Sequence, residues 1–332
     1  MRSTTPSTAL GRIVVRAPAK INLTLDVLGR RPDGYHALRS VMQTLELHDT
    51  LELRPAPAIR FACDAPALAG EDNLVPRAAR LLRTATGYGG GVDITLHKRI
   101  PIDAGLGGGS SDAAATLMAL NRLWGLALAA ERLAELGAAL GSDVPFFFYA
   151  PLALVSGRGE VVEALPPAPP ASVVLHQPPC GLSTARVFAA LPPTRYGDGS
   201  ATERLLAALQ GGLAPEQWPL SNGLQETVTA LYPEVSTALE RLRTAGAPQA
   251  VLTGSGSTVY ALFARADAAR RAYTQLTAAG HHAILTATVP APAAQTGDEA
   301  SGGASPPSAA SWYAGAAAHG DRESLSRPRW WP

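Results

Sequence analysis

The sequence predicts an α+β fold in two parts, on three observations. Apolar runs with strand-like alternation mix with helical repeats, without the strict strand–helix–strand repetition of a parallel sheet. The 332 residues are long enough for two domains and a large buried core. A proline-rich hinge, Leu165-Pro166-Pro167-Ala168-Pro169-Pro170, offers a boundary. The expected units are 11–165 and 171–289, with 290–332 as a disordered tail.

In order, 12–16 and 21–28 are apolar, β-branched runs flanking Ala17-Pro18-Ala19-Lys20, which reads as two strands and a sharp connection. Arg31-Pro32-Asp33-Gly34 signals a turn. Strands are expected at 36–47, 50–54 and 59–63, and a helix at 73–85 with Leu74, Ala78, Leu81 and Leu82 on one face. A strand at 92–97 leads into a glycine loop and a helix at 112–124 stopped by Gly125. Another helix at 129–140 ends at Gly141, an apolar segment covers 146–149, and 152–155 with 160–163 reads as a hairpin around Gly157. Beyond the hinge come a strand at 173–176 and helices at 184–191, 201–210 and 234–245, the last opened by Pro233. Strands at 250–252 and 258–263 enclose Thr253-Gly254-Ser255-Gly256-Ser257, and a helix at 266–279 and a strand at 283–289 complete the unit. From 290 onward Ala, Gly, Ser and Pro dominate without periodicity; Trp330 and Trp331 could form a docking peptide, although a tail without function is the simpler reading.

Composition excludes several classes. Hydrophobic residues make up 46% and charged residues 17%, which suits a soluble globular protein. The 28 Lys plus Arg against 27 Asp plus Glu argue against nucleic acid or a membrane surface as main partner. Two cysteines, Cys63 and Cys180, without a CxxC pattern suggest a reducing compartment. No apolar leader opens the chain and no run nears 18 apolar residues, so the expected location is cytoplasmic.

The chemistry starts from Pro101-Ile102-Asp103-Ala104-Gly105-Leu106-Gly107-Gly108-Gly109-Ser110-Ser111. A strand, a glycine loop and a helix start make an anion cradle: glycines let backbone N–H groups approach a ligand, and the helix dipole favours negative charge. Ser110 and Ser111 can cap the helix or offer hydroxyls to phosphate or a metal. A Walker A loop needs Lys where Ser110 stands, and a dinucleotide fingerprint from Gly105 needs Gly or Ala there. Three consecutive glycines exceed what close strand–helix packing requires, so phosphate binding is preferred to a plain turn.

The other candidates stay open on residue type alone. Lys20, alone in an apolar run, is either a solvated surface lysine or charge compensation for phosphate. Asp143 is either a cap for the 144–149 segment or a general base at its apolar edge. Tyr35 and His36 follow a turn and either close a hairpin or meet a nucleobase, by stacking and by edge hydrogen bonds. His281 and His282 are adjacent and form no metal pair.

Taken together, the segments resemble the GHMP kinase superfamily, which binds ATP through a glycine–serine loop. Its three motif regions occur in order: Ala17-Pro18-Ala19-Lys20-Ile21-Asn22-Leu23, the loop 101–111, and 252–257. PAKINLTLDVLGRRPDGYH, SVMQTLELHD, EDNLVPRAARLL, IPIDAGLGGGSSDAAATL and GSDVPFFF carry the likeness to one branch, whose substrate has a cytidine diphosphate end. The resemblance spans about 11–289 and implies a ribosomal-protein-S5-like α/β N-terminal domain with a C-terminal α+β sandwich, in a monomer or weak homodimer. It implies transfer of the ATP γ-phosphoryl group, with Mg²⁺, to a tertiary hydroxyl of a small molecule. On this resemblance, Lys20 and Asp143 match the catalytic pair and 101–111 the ATP phosphate loop. Asn73, Leu74, Val75 and Lys98 lie where the family handles adenosine. Tyr35 and His36 match the cytosine pair, Phe188, four residues after Thr184, the ring on its other face, and Asn22 a substrate contact near the reacting centre. Metal ligands are not implied. Family loops usually read PxGAGLGGGSS; Asp103 departs from that, and a carboxylate there repels phosphate unless it points to solvent or helps hold Mg²⁺. The alternatives are a mevalonate- or homoserine-type kinase, which has no base to stack, and a non-catalytic ATP sensor, which has no use for a base such as Asp143.

Overall fold

The computed structural model describes residues 11–290. The tail, with Trp330 and Trp331, lies outside the described residues. β1 (Ile13–Arg30) and β2 (His36–Ala56) run antiparallel along their whole length, joined by the expected turn at 31–34. After them come β3 (Ile59–Cys63), α1 (Leu74–Thr86), β4 (Gly91–His97), α2 (Gly108–Leu123), α3 (Ala130–Ala138), α4 (Phe146–Tyr149), β5 (Leu152–Gly157) and β6 (Val161–Ala164). The chain continues through β7 (Ser172–His176), α5 (Thr184–Ala190), α6 (Ser200–Gln210), β8 (Ser221–Asn222), α7 (Gln225–Leu231) and α8 (Pro233–Thr244). It closes with β9 (Val251–Leu252), β10 (Val259–Phe263), α9 (Ala266–Ala278) and β11 (Ala283–Ala287).

The strands form two sheets. The larger runs β3-β4-β2-β1-β8; β2 pairs with β4 along 50–56 and with β5 along 38–43, and β6 pairs with β5. The smaller, β11-β7-β10-β9, is antiparallel throughout. One face of the large sheet buries Val15, Leu51 and Ile94 against α1–α4, and Ile21, Leu23 and Val41 on the other meet Val173, Tyr260 and Leu262 of the small sheet. Along β10 the period-2 alternation sends Tyr260 and Leu262 to that shared core, and Val259, Ala261 and Phe263 to the far side, where α7, α8 and α9 pack. The α+β class is as expected. Among the described residues no helix is long and apolar enough to cross a membrane.

Three local expectations are corrected. The segment 17–20 is no connection; β1 passes through it with a register shift between Pro18 and Lys20. Pro18 donates no ladder hydrogen bond, and a bulge absorbs it. β2 is one strand, not two. β8 and α7 were not anticipated: two residues are too few for a periodic signal, and Gln225–Leu231 has only two turns with a threonine-rich apolar face.

Candidate functional site

The register shift in β1 positions the site. Before it, Ile13, Val15 and Ala17 point to the helical side; after it, Ala19, Ile21 and Leu23 turn toward the small sheet. Lys20 and Asn22 thereby come round to the helical side, beneath the glycine loop. The Lys20 backbone N–H donates to the Leu106 carbonyl at 2.9 Å. An alanine Cβ at Gly107 would lie 2.8 Å from Lys20 Cγ, so that loop position lies directly on the lysine stem.

Lys20 Nζ donates to Asn22 Oδ1 at 2.8 Å and pairs with Asp143 Oδ2 at 3.3 Å. The Lys20 side chain is 4% exposed and that of Asp143 37%, so the carboxylate is the open end of the pair. Asp143 does not cap α4: Pro145 holds the cap position and no side chain bonds there. Asn22 is held on every side. Its Nδ2 donates to Ser40 Oγ at 2.8 Å, its Oδ1 accepts from the Gly254 N–H at 3.0 Å, its N–H donates to Thr253 Oγ1 at 3.1 Å and its carbonyl accepts from Tyr260 at 2.8 Å. The 253–257 loop thus buttresses the amide beside Lys20.

The glycine loop forms as expected with one change in capping. α2 starts at Gly108, and Gly107, with φ +70°, is its N-cap; neither Ser110 nor Ser111 caps it. Gly105, φ +74°, lies against the second glycine loop, where a Cβ would come within 2.5 Å of the Thr253 carbonyl. Only backbone without side chains fits between these loops. The free amides at the start of α2 face a cleft of about 460 Å³, lined by Lys20, Asn22, Asn73, Leu74, Lys98, the loop residues from Pro101 to Ser110, Asp112 and Asp143. Ser111 is fully buried below it. Asp103 is exposed, with φ +54°. Asn73 caps α1, its Oδ1 accepting from the Val75 N–H at 2.9 Å, which fixes Leu74 at the rim.

Lys98 is no free phosphate cation. Its Nζ donates to Asp49 Oδ2 at 2.5 Å and Asp112 Oδ2 at 2.9 Å, while Asp49 Oδ1 accepts the backbone N–H groups of Arg99 and Ile100. Burial pulls the ammonium pKa down, but the two carboxylates outweigh it and the net shift is upward. Asp112, buried and beside Asp49, has its carboxyl pKa pushed up to about 8. Sequence reasoning missed Asp49 and Asp112, which meet Lys98 from 49 and 14 positions away.

At the other end of the cleft, the His36 and Phe188 rings stack with centroids 5.0 Å apart, and Tyr196 meets His36 edge-on at 5.8 Å. Burial, and then Arg30, lower the His36 pKa, favouring the neutral ring. Thr184 Oγ1 and Ser255 Oγ share a hydrogen bond at 2.7 Å, tying α5 to the second glycine loop. Tyr35 is exposed and carries the Arg158 guanidinium on its face at 5.2 Å. The structure therefore brings His36 onto Phe188, which lines the cleft together with Thr184, and leaves Tyr35 exposed and outside that lining. Among the described residues no group of three His, Cys, Asp or Glu side chains is arranged to hold a metal.

The GHMP kinases N terminal domain matches residues 73–150 and the GHMP kinases C terminal domain residues 197–282. The 4-diphosphocytidyl-2-C-methyl-D-erythritol kinase of Pelotomaculum thermopropionicum is 45% identical over 280 residues, covering 83% of this chain and 98% of the relative. This chain belongs to the 4-diphosphocytidyl-2-C-methyl-D-erythritol kinase family of GHMP kinases. A crystal structure of a 4-(cytidine 5'-diphospho)-2C-methyl-D-erythritol kinase superposes with a TM-score of 0.72 at 37% identity, covering 83% of this chain and 99% of that one. The homoserine kinase of Cytophaga hutchinsonii reaches a TM-score of 0.69 at 18% identity, covering 87% and 98%, which marks the shared GHMP kinase fold. GHMP kinases take ATP as co-substrate, and the glycine cradle at the start of α2 is suited to its phosphates.

Proposed function

We propose that the chain transfers the γ-phosphoryl group of ATP to the 2-hydroxyl of 4-diphosphocytidyl-2-C-methyl-D-erythritol, giving the 2-phosphate and ADP in the non-mevalonate route to isopentenyl diphosphate. The observation that carries this reading is the Lys20–Asp143 pair, 3.3 Å apart at the floor of a cleft with a phosphate cradle at one end and stacked rings at the other. Adenosine lies near Asn73, Leu74 and Lys98, and the phosphates lie over the amides of the 105–110 segment. The acceptor hydroxyl meets Asp143, which takes its proton as the oxygen bonds to phosphorus and the bond to ADP breaks. Lys20, held by Asn22 and Asp143, offsets the charge on the transferring group without reorganising. Asn22 contacts the substrate near that centre.

Mg²⁺ suits this donor set. It would bind through phosphates, waters and one or two protein oxygens, and Ser110, which lines the cleft, would supply a hydroxyl of that kind. When bound, the ion screens the phosphates' charge. Cytosine occupies the ring end, with Tyr35 and Phe188 supplying faces and His36, neutral at physiological pH, supplying a hydrogen-bonding edge. A base seated between Tyr35 and Phe188 displaces the His36 ring from Phe188. Mevalonate and homoserine have nothing to stack here, which disfavours kinases for those alcohols.

Phosphorus and carbon NMR of the reaction mixture tests the reading. One new phosphomonoester, coupled to the carbon at position 2, is expected with ADP. Phosphorylation at a primary hydroxyl, or ATP hydrolysis alone, contradicts it.

A further inference from the structure

The proposed substrate carries a diphosphate between its base and its reacting hydroxyl, yet both lysines lining the cleft are engaged. Lys20 is held by Asp143 and Asn22, and Lys98 lies between Asp49 and Asp112. Negative charge arriving between the ring end and Asp143 therefore needs a cation of its own.

Arg158 occupies the turn between β5 and β6, next to a residue of the cleft wall. Gly159, beside it, lines the cleft, where a Cβ would come within 3.2 Å of that of Ser142, the neighbour of Asp143. Arg158 Nη2 reaches the Ala138 carbonyl at 3.5 Å, at the end of α3 that leads to the Asp143 loop. Its guanidinium carbon lies 5.2 Å from the Tyr35 ring centroid, on the cytosine side. Two nearby arginines have close partners: Arg31 pairs with Asp33 at 2.9 Å and Arg39 with Glu203 at 2.5 Å. The carboxylate nearest Arg158, Glu160, stands 3.9 Å from Nε, and its other oxygen accepts the Arg158 backbone N–H at 2.7 Å. The Arg158 side chain is one-third exposed, and its guanidinium keeps N–H groups for a ligand. A planar fork lying on an aromatic face suits a diphosphate: it donates in pairs to phosphate oxygens while the ring fixes its plane.

We propose that Arg158 binds the diphosphate of the substrate, its guanidinium held in plane by the Tyr35 ring. This rests on the substrate reading above. Arg158 thereby sets specificity for cytidine diphosphate conjugates over uncharged cytidine derivatives.

Calorimetric titration of the full chain with CDP and with cytidine, ATP analogue present, tests it on the wild type, Arg158→Gln and Arg158→Lys. The wild type should bind CDP at least about tenfold tighter than cytidine, as expected of a charge-assisted hydrogen bond. Arg158→Gln should erase that gap while leaving cytidine and ATP-analogue affinities unchanged, and Arg158→Lys should restore part of it. In turnover, Arg158→Gln should raise KM for the diphosphocytidyl substrate about tenfold or more with little change in kcat. An unchanged CDP-to-cytidine ratio in Arg158→Gln overturns the proposal alone, as does equal weakening of both ligands, the mark of a prop for Tyr35. A wild type that binds neither ligand overturns the substrate reading and this inference with it.

Discussion

At the scale of single residues, Lys20 and Asp143 stand 123 positions apart in sequence and 3.3 Å apart in the fold. Spacing gives no sign of such a meeting, so the pair was legible only through resemblance, whereas the glycine cradle announced itself through residue types. Asp143→Asn keeps shape and hydrogen bonding but loses the base; turnover should fall by about 10²–10⁴-fold with ATP affinity retained, a contrast that initial rates and calorimetry read. Asp103 is exposed at φ +54°, a conformation glycine takes without strain. Asp103→Gly should leave turnover intact, and a large drop in kcat means that the carboxylate takes part in holding the nucleotide.

Asp112 yields a pH prediction. Its folded pKa, about 8, lies above the ordinary 3.8, so between those values the native chain holds a proton that the unfolded chain has released. Its contribution to stability is fully present below about pH 4 and is lost as pH rises toward 8. Denaturant unfolding at a series of pH values should show a steeper decline over this window in the wild type than in Asp112→Asn. Equal slopes would place the proton elsewhere in the Lys98 cluster.

At the scale of elements, the glycine loop and α2 show what sequence can and cannot assign. The cradle was readable because three glycines before a strong helix former have few other uses. The cap was not, because Ser110 and Ser111 are better cap residues than the Gly107 that serves. The left-handed φ at 107 and its contact with Lys20 settle that choice. Gly107→Ala should cost about 1–3 kcal/mol of stability and displace the lysine, through a positive φ and a Cβ 2.8 Å from Lys20 Cγ. At Gly109 the nearest atom to a Cβ is Leu74 Cδ1 at 3.7 Å, ordinary contact, and the site is helical. Gly109→Ala should therefore match or exceed wild-type stability by up to about 1 kcal/mol. Thermal and denaturant unfolding of the two variants decide between them. β1 was misread for a related reason: Ala-Pro-Ala looks like a break, but a bulge lets a long strand swap faces there, which brings Lys20 and Asn22 round to the cleft.

At the scale of the molecule, the two sheets share one core through Ile21, Leu23, Val173 and Tyr260, and β8, from the second half of the chain, pairs with β1. Mixed elements without βαβ repetition made the α+β class legible. The sheet-on-sheet contact was not, because an apolar strand face does not say which partner covers it. The 280 aligned residues cover 98% of the Pelotomaculum relative but 83% of this chain. A chain ending at residue 290 keeps the Val289 N–H bond to the Thr44 carbonyl and should match the full chain in thermal midpoint and kcat, within error. The central claim is the choice of acceptor, and ADP release in initial-rate assays with ATP and Mg²⁺ measures it most directly. Turnover is expected with 4-diphosphocytidyl-2-C-methyl-D-erythritol, and little with mevalonate or homoserine. Equal or faster turnover of either of those alcohols, or none with the diphosphocytidyl substrate, contradicts it.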